Sequence, residues 1–170
     1  MIQKEILLRA LEPADLVELA RIENDQSLWK FSNRNEPYSK HLLAQYIEQQ
    51  HQDIFEVRQK RFVISNPNAH VLGFVDLFDF EPLHRRAGVG LVVKKEFRQK
   101  GIGFKALQLL IQYTQDYLNI HCLFANIACE NQFSIQLFES CGFQQICIKK
   151  DWNFYDRGFH DEYLYQKLFN

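Results

Sequence analysis

No charge of one sign dominates this sequence: 20 lysines and arginines stand against 21 acidic residues, a formal net charge of -1. That balance argues against a module that works by neutralising many nucleic-acid phosphates, so no nucleic-acid partner is expected. Cysteine is sparse. The four present, at positions 122, 129, 141 and 147, have no C-x-x-C spacing and no histidine at ligand spacing; this argues against a zinc site and leaves reduced core thiols as the expectation. The N-terminus lacks a long apolar run. "MIQKEILLRALEP" offers only Ile6 to Leu8, too short for the core of a signal peptide or a membrane span, so a cytoplasmic chain with no membrane partner is expected. There is no internal repeat, low-complexity tract or linker, and 170 residues with 46% hydrophobic content suit one domain over 1–170.

Residues 4–10 read as a short strand. Pro13 suits a first helical turn, and Leu16, Leu19 and Ile22 share one face, so a helix is expected over 13–25. "WKFSNRNEPYSK" (29–40) is polar, aromatic and broken by Pro37, hence a loop, after which Ser39 can cap a second helix carrying Leu42, Leu43, Tyr46, Ile47 and Ile54. "RFVIS", a turn at Asn66-Pro67-Asn68 and a strand over 71–80 make a hairpin, and "RRAGVGLVV" (85–93) adds another strand. A helix with Ile102, Ala106, Leu109, Leu110 and Tyr113 on its buried side follows. Then come a strand at 122–128, a helix at 131–140 stopped by Gly142, and two last strands around a tight turn at Asp156-Arg157-Gly158. The order β α α β β β α β α β β is that of a mixed α/β (α+β) fold.

Between the strand ending at Val93 and the helix beginning at Ile102 lies "EFRQKGIG", rich in cations and glycine. The first turn of a helix has unpartnered N–H groups and the positive end of the macrodipole, so this turn is suited to a phosphate. It is not a Walker loop, because G-x-x-x-x-G-K-[ST] is absent, and Gly88-x-Gly90 lacks the third glycine of a dinucleotide fingerprint. The N–H groups between Arg98 and Lys105 can form a nest for a pyrophosphate, with Arg98, Lys100 and Lys105 adding charge, and side chains at 101 or 103 would crowd that ligand.

Arg98-x-x-Gly101-x-Gly103 resembles the pyrophosphate-binding motif R/Q-x-x-G-x-G/A of the GNAT acetyltransferase superfamily. The resemblance extends over "LRALEPADL", "NEPY", "VLGFVDLFDFEPLHRRAGVGLVV", "ENQFSIQLFESCGF" and "DRGFHDEYLY", and points to the branch with spermidine/diamine and ribosomal-protein N-acetyltransferases. It implies a mostly antiparallel central sheet with splayed central strands and helices on both faces. It implies acetyl-CoA as cosubstrate, with pantetheine along Leu91-Val92-Val93, a backbone N–H near Val92 or Val93 facing the thioester oxygen, and contacts from Arg98, Gln99, Lys100, Gly101, Ile102, Gly103, Phe104, Asn131, Ser134 and Phe138.

An amine acceptor has a reference pKa of about 10.4, so transfer near pH 7 needs a base. Glu36, Asp79, Glu81 and His84 are the candidates, each as base or substrate contact. Two departures from the family pattern stand out. The tyrosine that usually protonates the leaving thiolate is Phe138, and the paired acids before Pro-Tyr in polyamine-acetylating relatives are Asn35-Glu36. The implied acceptor is a small polyamine or diamine, with a protein N-terminus or a non-catalytic CoA-binding module as alternatives, and a homo-oligomer is compatible with either.

Overall fold

The computed structural model describes residues 5–32 and 34–169; residue 4, where the first strand was expected to begin, and Asn33 of the early loop lie outside them. Seven strands, β1 (Leu7–Arg9), β2 (Lys60–Ser65), β3 (Val71–Glu81), β4 (Arg86–Val93), β5 (Cys122–Ala128), β6 (Gln144–Tyr155) and β7 (Gly158–Leu168), form one sheet in the order β1-β2-β3-β4-β5-β7-β6. All pairs are antiparallel except β4 with β5. The helices are α1 (Leu16–Glu23), α2 (Gln26–Trp29), α3 (Lys40–Glu48), α4 (Ile54–Val57), α5 (Ile102–Leu118) and α6 (Gln132–Ser140).

Alternation along the strands sorts the core into two layers. Ile64, Val75, Leu77, Val89, Leu123 and Ile127 point to the side packed by Ala106, Leu107 and Leu110 of α5 and Ile135 and Phe138 of α6. Val63, Phe74 and Val92 point the other way, to Leu19 of α1 and Leu43 and Ile47 of α3. The expected helix over 13–25 is a 3-10 turn at Pro13–Asp15 followed by α1, because Asp15 bends back to accept the Glu12 N–H at 2.9 Å. Ser39 caps α3 as expected, accepting from Leu42 N at 3.1 Å, but the helix stops at Glu48 and does not reach Ile54, which begins α4 after a new cap at Asp53.

Leu109 is not on the buried side of α5: it is 36% exposed, one step round the helix from fully buried Leu110. Nor are all the cysteines core thiols. Cys122 and Cys141 are buried, Cys129 is half-buried, and Cys147 lies exposed on β6, an edge strand with only one neighbour. The last hairpin turns through Asp156 and Arg157, both left-handed (φ 48° and 62°), a two-residue connection whose twist matches the strands.

Candidate active site

Strand β4 is the hinge of the site. It pairs with β5 only at Arg86↔Cys122, Ala87↔Leu123 and Gly88↔Phe124, while β3 accompanies it on the other side as far as Val93. From Val89 onward β4 and β5 part, and main-chain groups of alternate β4 residues face the gap instead of a strand. The parting point is built from aromatic rings. A Cβ on Gly88 would stand 2.3 Å from the Phe78 ring, and that ring meets Phe124 of β5 edge-on with centroids 5.8 Å apart.

Beyond Val93 the chain enters the cationic turn. Gln99 and Gly101 are both left-handed, at φ 57° and 74°, and nothing lies within 4 Å of where a Gly101 Cβ would be. Gly101 is the N-cap of the 17-residue α5, with Lys105 N donating to its carbonyl at 3.1 Å. Arg98 is exposed and held by its Nε, which donates to the Val93 carbonyl at 2.9 Å; Lys100 Nζ donates to the Glu96 carbonyl at 2.9 Å. These residues fit a diphosphate: an open cradle, a helix N-terminus, and cations anchored beside it.

Gly103 has a different task from the one its motif suggests. The space of its missing side chain is taken by Leu137, Leu91 and Val93, at 3.2, 3.6 and 3.7 Å, so it brings α5, α6 and β4 together rather than making room for a ligand. Ile102 is a core residue at 4% exposure, leaving only its main chain to face the cradle, and Phe104 is half-buried against the core. On α6, Asn131 caps the helix by accepting from Ser134 N at 3.2 Å. Phe138 is 4% exposed and packs edge-on against Phe143 at 5.0 Å.

Three of the four candidate bases, Asp79, Glu81 and His84, lie at the paired end of β4 and β5 and not at the gap. Asp79 sits left-handed (φ 47°) in a bulge between Phe78 and Glu81, and His84 is exposed in the turn to β4, at the end where β4 and β5 are still paired. Glu81 is engaged by Arg58 at 3.2 Å. Glu36 is exposed in the early loop, its carbonyl accepting from Arg34 Nη2 at 2.6 Å while Arg34 stacks on Tyr38.

Two polar networks that sequence reasoning missed do flank the gap, on the face covered by α1 and α3. On the β4 side, Arg61 of β2 donates to Asp76 of β3 (Nε to Oδ1 at 2.5 Å, Nη2 to Oδ2 at 3.0 Å) and through Nη1 to Glu23 of α1 at 2.5 Å. Burial works against the Arg61 charge, but the Asp76 carboxylate outweighs it and holds the guanidinium proton more tightly than usual. On the β5 side, Lys149 donates to Asn126 and Glu162, each at 2.8 Å, and Asn153 donates to the other oxygen of Glu162 at 2.9 Å. Period-2 alternation was the available signal: Asp76 lies between inward Val75 and Leu77, in step with Phe74 and Phe78.

Residues 5–144 match the acetyltransferase (GNAT) domain family. The chain belongs to that family. It is a GNAT-type N-acetyltransferase, and acetyl-CoA is its cosubstrate. Over 139 residues it is 27% identical to the spermidine N(1)-acetyltransferase of Vibrio cholerae serotype O1, covering 82% of this chain and 79% of that one. It is 26% identical over 175 residues to the putative ribosomal N-acetyltransferase YdaF of Bacillus subtilis, covering 98% and 92%. The crystal structure of spermidine N-acetyltransferase from Vibrio cholerae in complex with CoA and spermine superposes with a TM-score of 0.87 at 23% identity, over 96% of this chain and 95% of that one, which establishes the GNAT fold. Among the described residues, no helix is long and apolar enough to cross a membrane.

Proposed function

We propose that this acetyltransferase acetylates a primary amine of the small polyamine or diamine class, by direct attack within a ternary complex. The observation that carries the reading is the parting of β4 from β5 after the Gly88–Phe124 pair, one strand-length from the left-handed Gly101 cradle. Arg98, Gln99, Lys100, Gly101 and the main chain of Ile102 to Phe104 hold the diphosphate, and the free edge of Leu91 to Val93 receives the amide-bearing arm as an added strand. Acetyl-CoA supplies the activated acyl group. A β4 N–H near Val92 or Val93 stabilises the charge that develops on the acyl oxygen.

Direct transfer, rather than passage through an acetylated cysteine, is supported by the thiols themselves. Burial pushes the pKa of Cys129 and of Cys141 above the ordinary thiol value, the reverse of what activates a nucleophile, and Cys147 is on the far edge strand β6. The acceptor enters from the face that carries the Asp76 and Glu162 networks, and its proton leaves to solvent through an acidic side chain, for which exposed Glu36 is the candidate away from the paired end of β4 and β5. Polyamines suit this face, and the Vibrio cholerae relative is named for such a substrate.

The test is release of free CoA, followed with a thiol reagent, across a panel of spermidine, 1,4-diaminobutane, an amino sugar and a peptide with a free N-terminus. Amine-dependent release with spermidine or the diamine is the expected result; none with any amine at millimolar concentration would refute the proposal. The ribosomal relative favours a second reading, acetylation of a protein N-terminus, and turnover confined to the peptide would establish it.

A further inference from the structure

Asp76 faces Gly90 across the β3–β4 register, and Gly90 is the first outward-facing β4 residue on this face beyond the last rung to β5. The Asp76 Oδ2 atom lies 3.8 Å from where a Gly90 Cβ would be, with Phe78 Cε1 at 3.9 Å. No side chain on Gly90 therefore screens the carboxylate from the gap. Its floor is aromatic, from Phe78 and Phe124, which lie edge to face at 5.8 Å.

The charge of this cluster does not close. One guanidinium, Arg61, serves two carboxylates, Asp76 and Glu23, and the three side chains are only 18%, 23% and 15% exposed. Tyr46 contributes no charge, since burial raises its pKa above the ordinary phenol value. A net negative charge held away from water is unfavourable until a cation joins it. Both Asp76 oxygens bond Arg61, but each carboxylate oxygen has a second lone pair, so Oδ2 retains acceptor capacity beside Gly90.

We infer that Asp76 receives the ammonium group of the acceptor amine at the open side of Gly90, with Arg61 and Glu23 as positioning residues that hold its carboxylate in place. The cation supplies the charge that Arg61 leaves unbalanced, and the Phe78 and Phe124 rings cover the adjoining methylenes. This rests on the acetyl transfer to an amine proposed above. It assigns acceptor recognition to the middle of β3, away from Asp79, Glu81 and His84 toward the hairpin tip.

The experiment compares wild type with Asp76→Asn, Asp76→Glu and Gly90→Ala. It uses the panel amine of highest turnover, and spermidine binding to the CoA complex by calorimetry if none turns over. Asp76→Asn is expected to raise the amine KM or Kd tenfold or more, with CoA affinity within twofold of wild type and recovery in Asp76→Glu. Gly90→Ala fits without clash, its Cβ making only ordinary contacts, yet it stands before Oδ2 and is expected to weaken the amine and not CoA. It decides the matter if Asp76→Asn fails to fold. Amine affinities equal to wild type in every folded variant would overturn the inference, as would equal loss of CoA and amine binding. A wild type that turns over no amine but binds spermidine through Asp76 would refute the acetyl-transfer reading and leave this one standing.

Discussion

Gly88 and Phe78 share a space that admits only one side chain: the Phe78 ring atoms lie 2.3 to 2.8 Å from the position of a Gly88 Cβ. The ring is in turn fixed against Phe124 across the parting strands. Gly88→Ala must move an aromatic ring, and overpacking of this kind costs about 1–3 kcal/mol. A fall in unfolding free energy of that size is expected in urea titration, together with a loss of amine turnover larger than any loss of CoA affinity.

Gly101 presents the opposite case. Its surroundings are open, but its φ of 74° is one that an L side chain adopts only at a penalty of about 1–2 kcal/mol. Gly101→Ala is expected to lose stability by that amount and to weaken CoA binding about tenfold or more by calorimetry, because relief of the strain turns N–H groups out of the cradle. Unchanged CoA affinity would mean that the turn does not hold the diphosphate.

Phe138 lacks the hydroxyl that family members usually carry there, and general-acid assistance is typically worth about 10²- to 10⁴-fold. Phe138→Tyr is expected to raise kcat with little change in the KM for acetyl-CoA. A modest fall in Tm should accompany it, since the ring packs in the core against Phe143. An unaltered kcat would show that the thiolate departs without help from this position.

Asp15 ties β1 to the start of α1. Burial alone would raise its pKa, but the hydrogen bond from Arg9, the Glu12 N–H and the Arg9 charge together bring it below the ordinary carboxylate value. A carboxyl lowered on folding stabilises the native state above its unfolded pKa of about 3.9, and that contribution disappears as pH falls through the lower folded value. Asp15→Asn is expected to cost about 1–3 kcal/mol at pH 7, given a bidentate pair at 2.7 and 2.8 Å with Arg9 about a quarter exposed. The wild type should lose its advantage over the variant in urea titrations taken progressively below about pH 4.

Long periodic segments were legible in the sequence. The order of the principal strands and helices, the Ser39 cap and the hairpin turn at Asp156-Arg157 all follow from spacing and turn chemistry. The one-turn helices Gln26–Trp29 and Ile54–Val57 were not, because each is held by an aspartate cap, Asp25 and Asp53, and has no periodic stripe of its own. The cofactor turn was visible as a motif, yet the reason for Gly103 was not, since only the packed structure shows Leu137 beside it. The acceptor side was least legible. Charged residues within strands, such as Arg61, Asp76 and Glu162, reveal their partners only when register brings distant segments side by side.

The three rungs that join β4 to β5 leave the sheet in two halves laced at one end, β1–β4 on one side and β5–β7 on the other. Beneath the opening the halves share one close-packed core, in which α5 and α6 touch Val75, Leu77 and Val89 on one side and Leu123 and Ile127 on the other. The width of the wedge is therefore set by the side chains packed under it, and a core substitution far from either substrate would reshape the room that both must share.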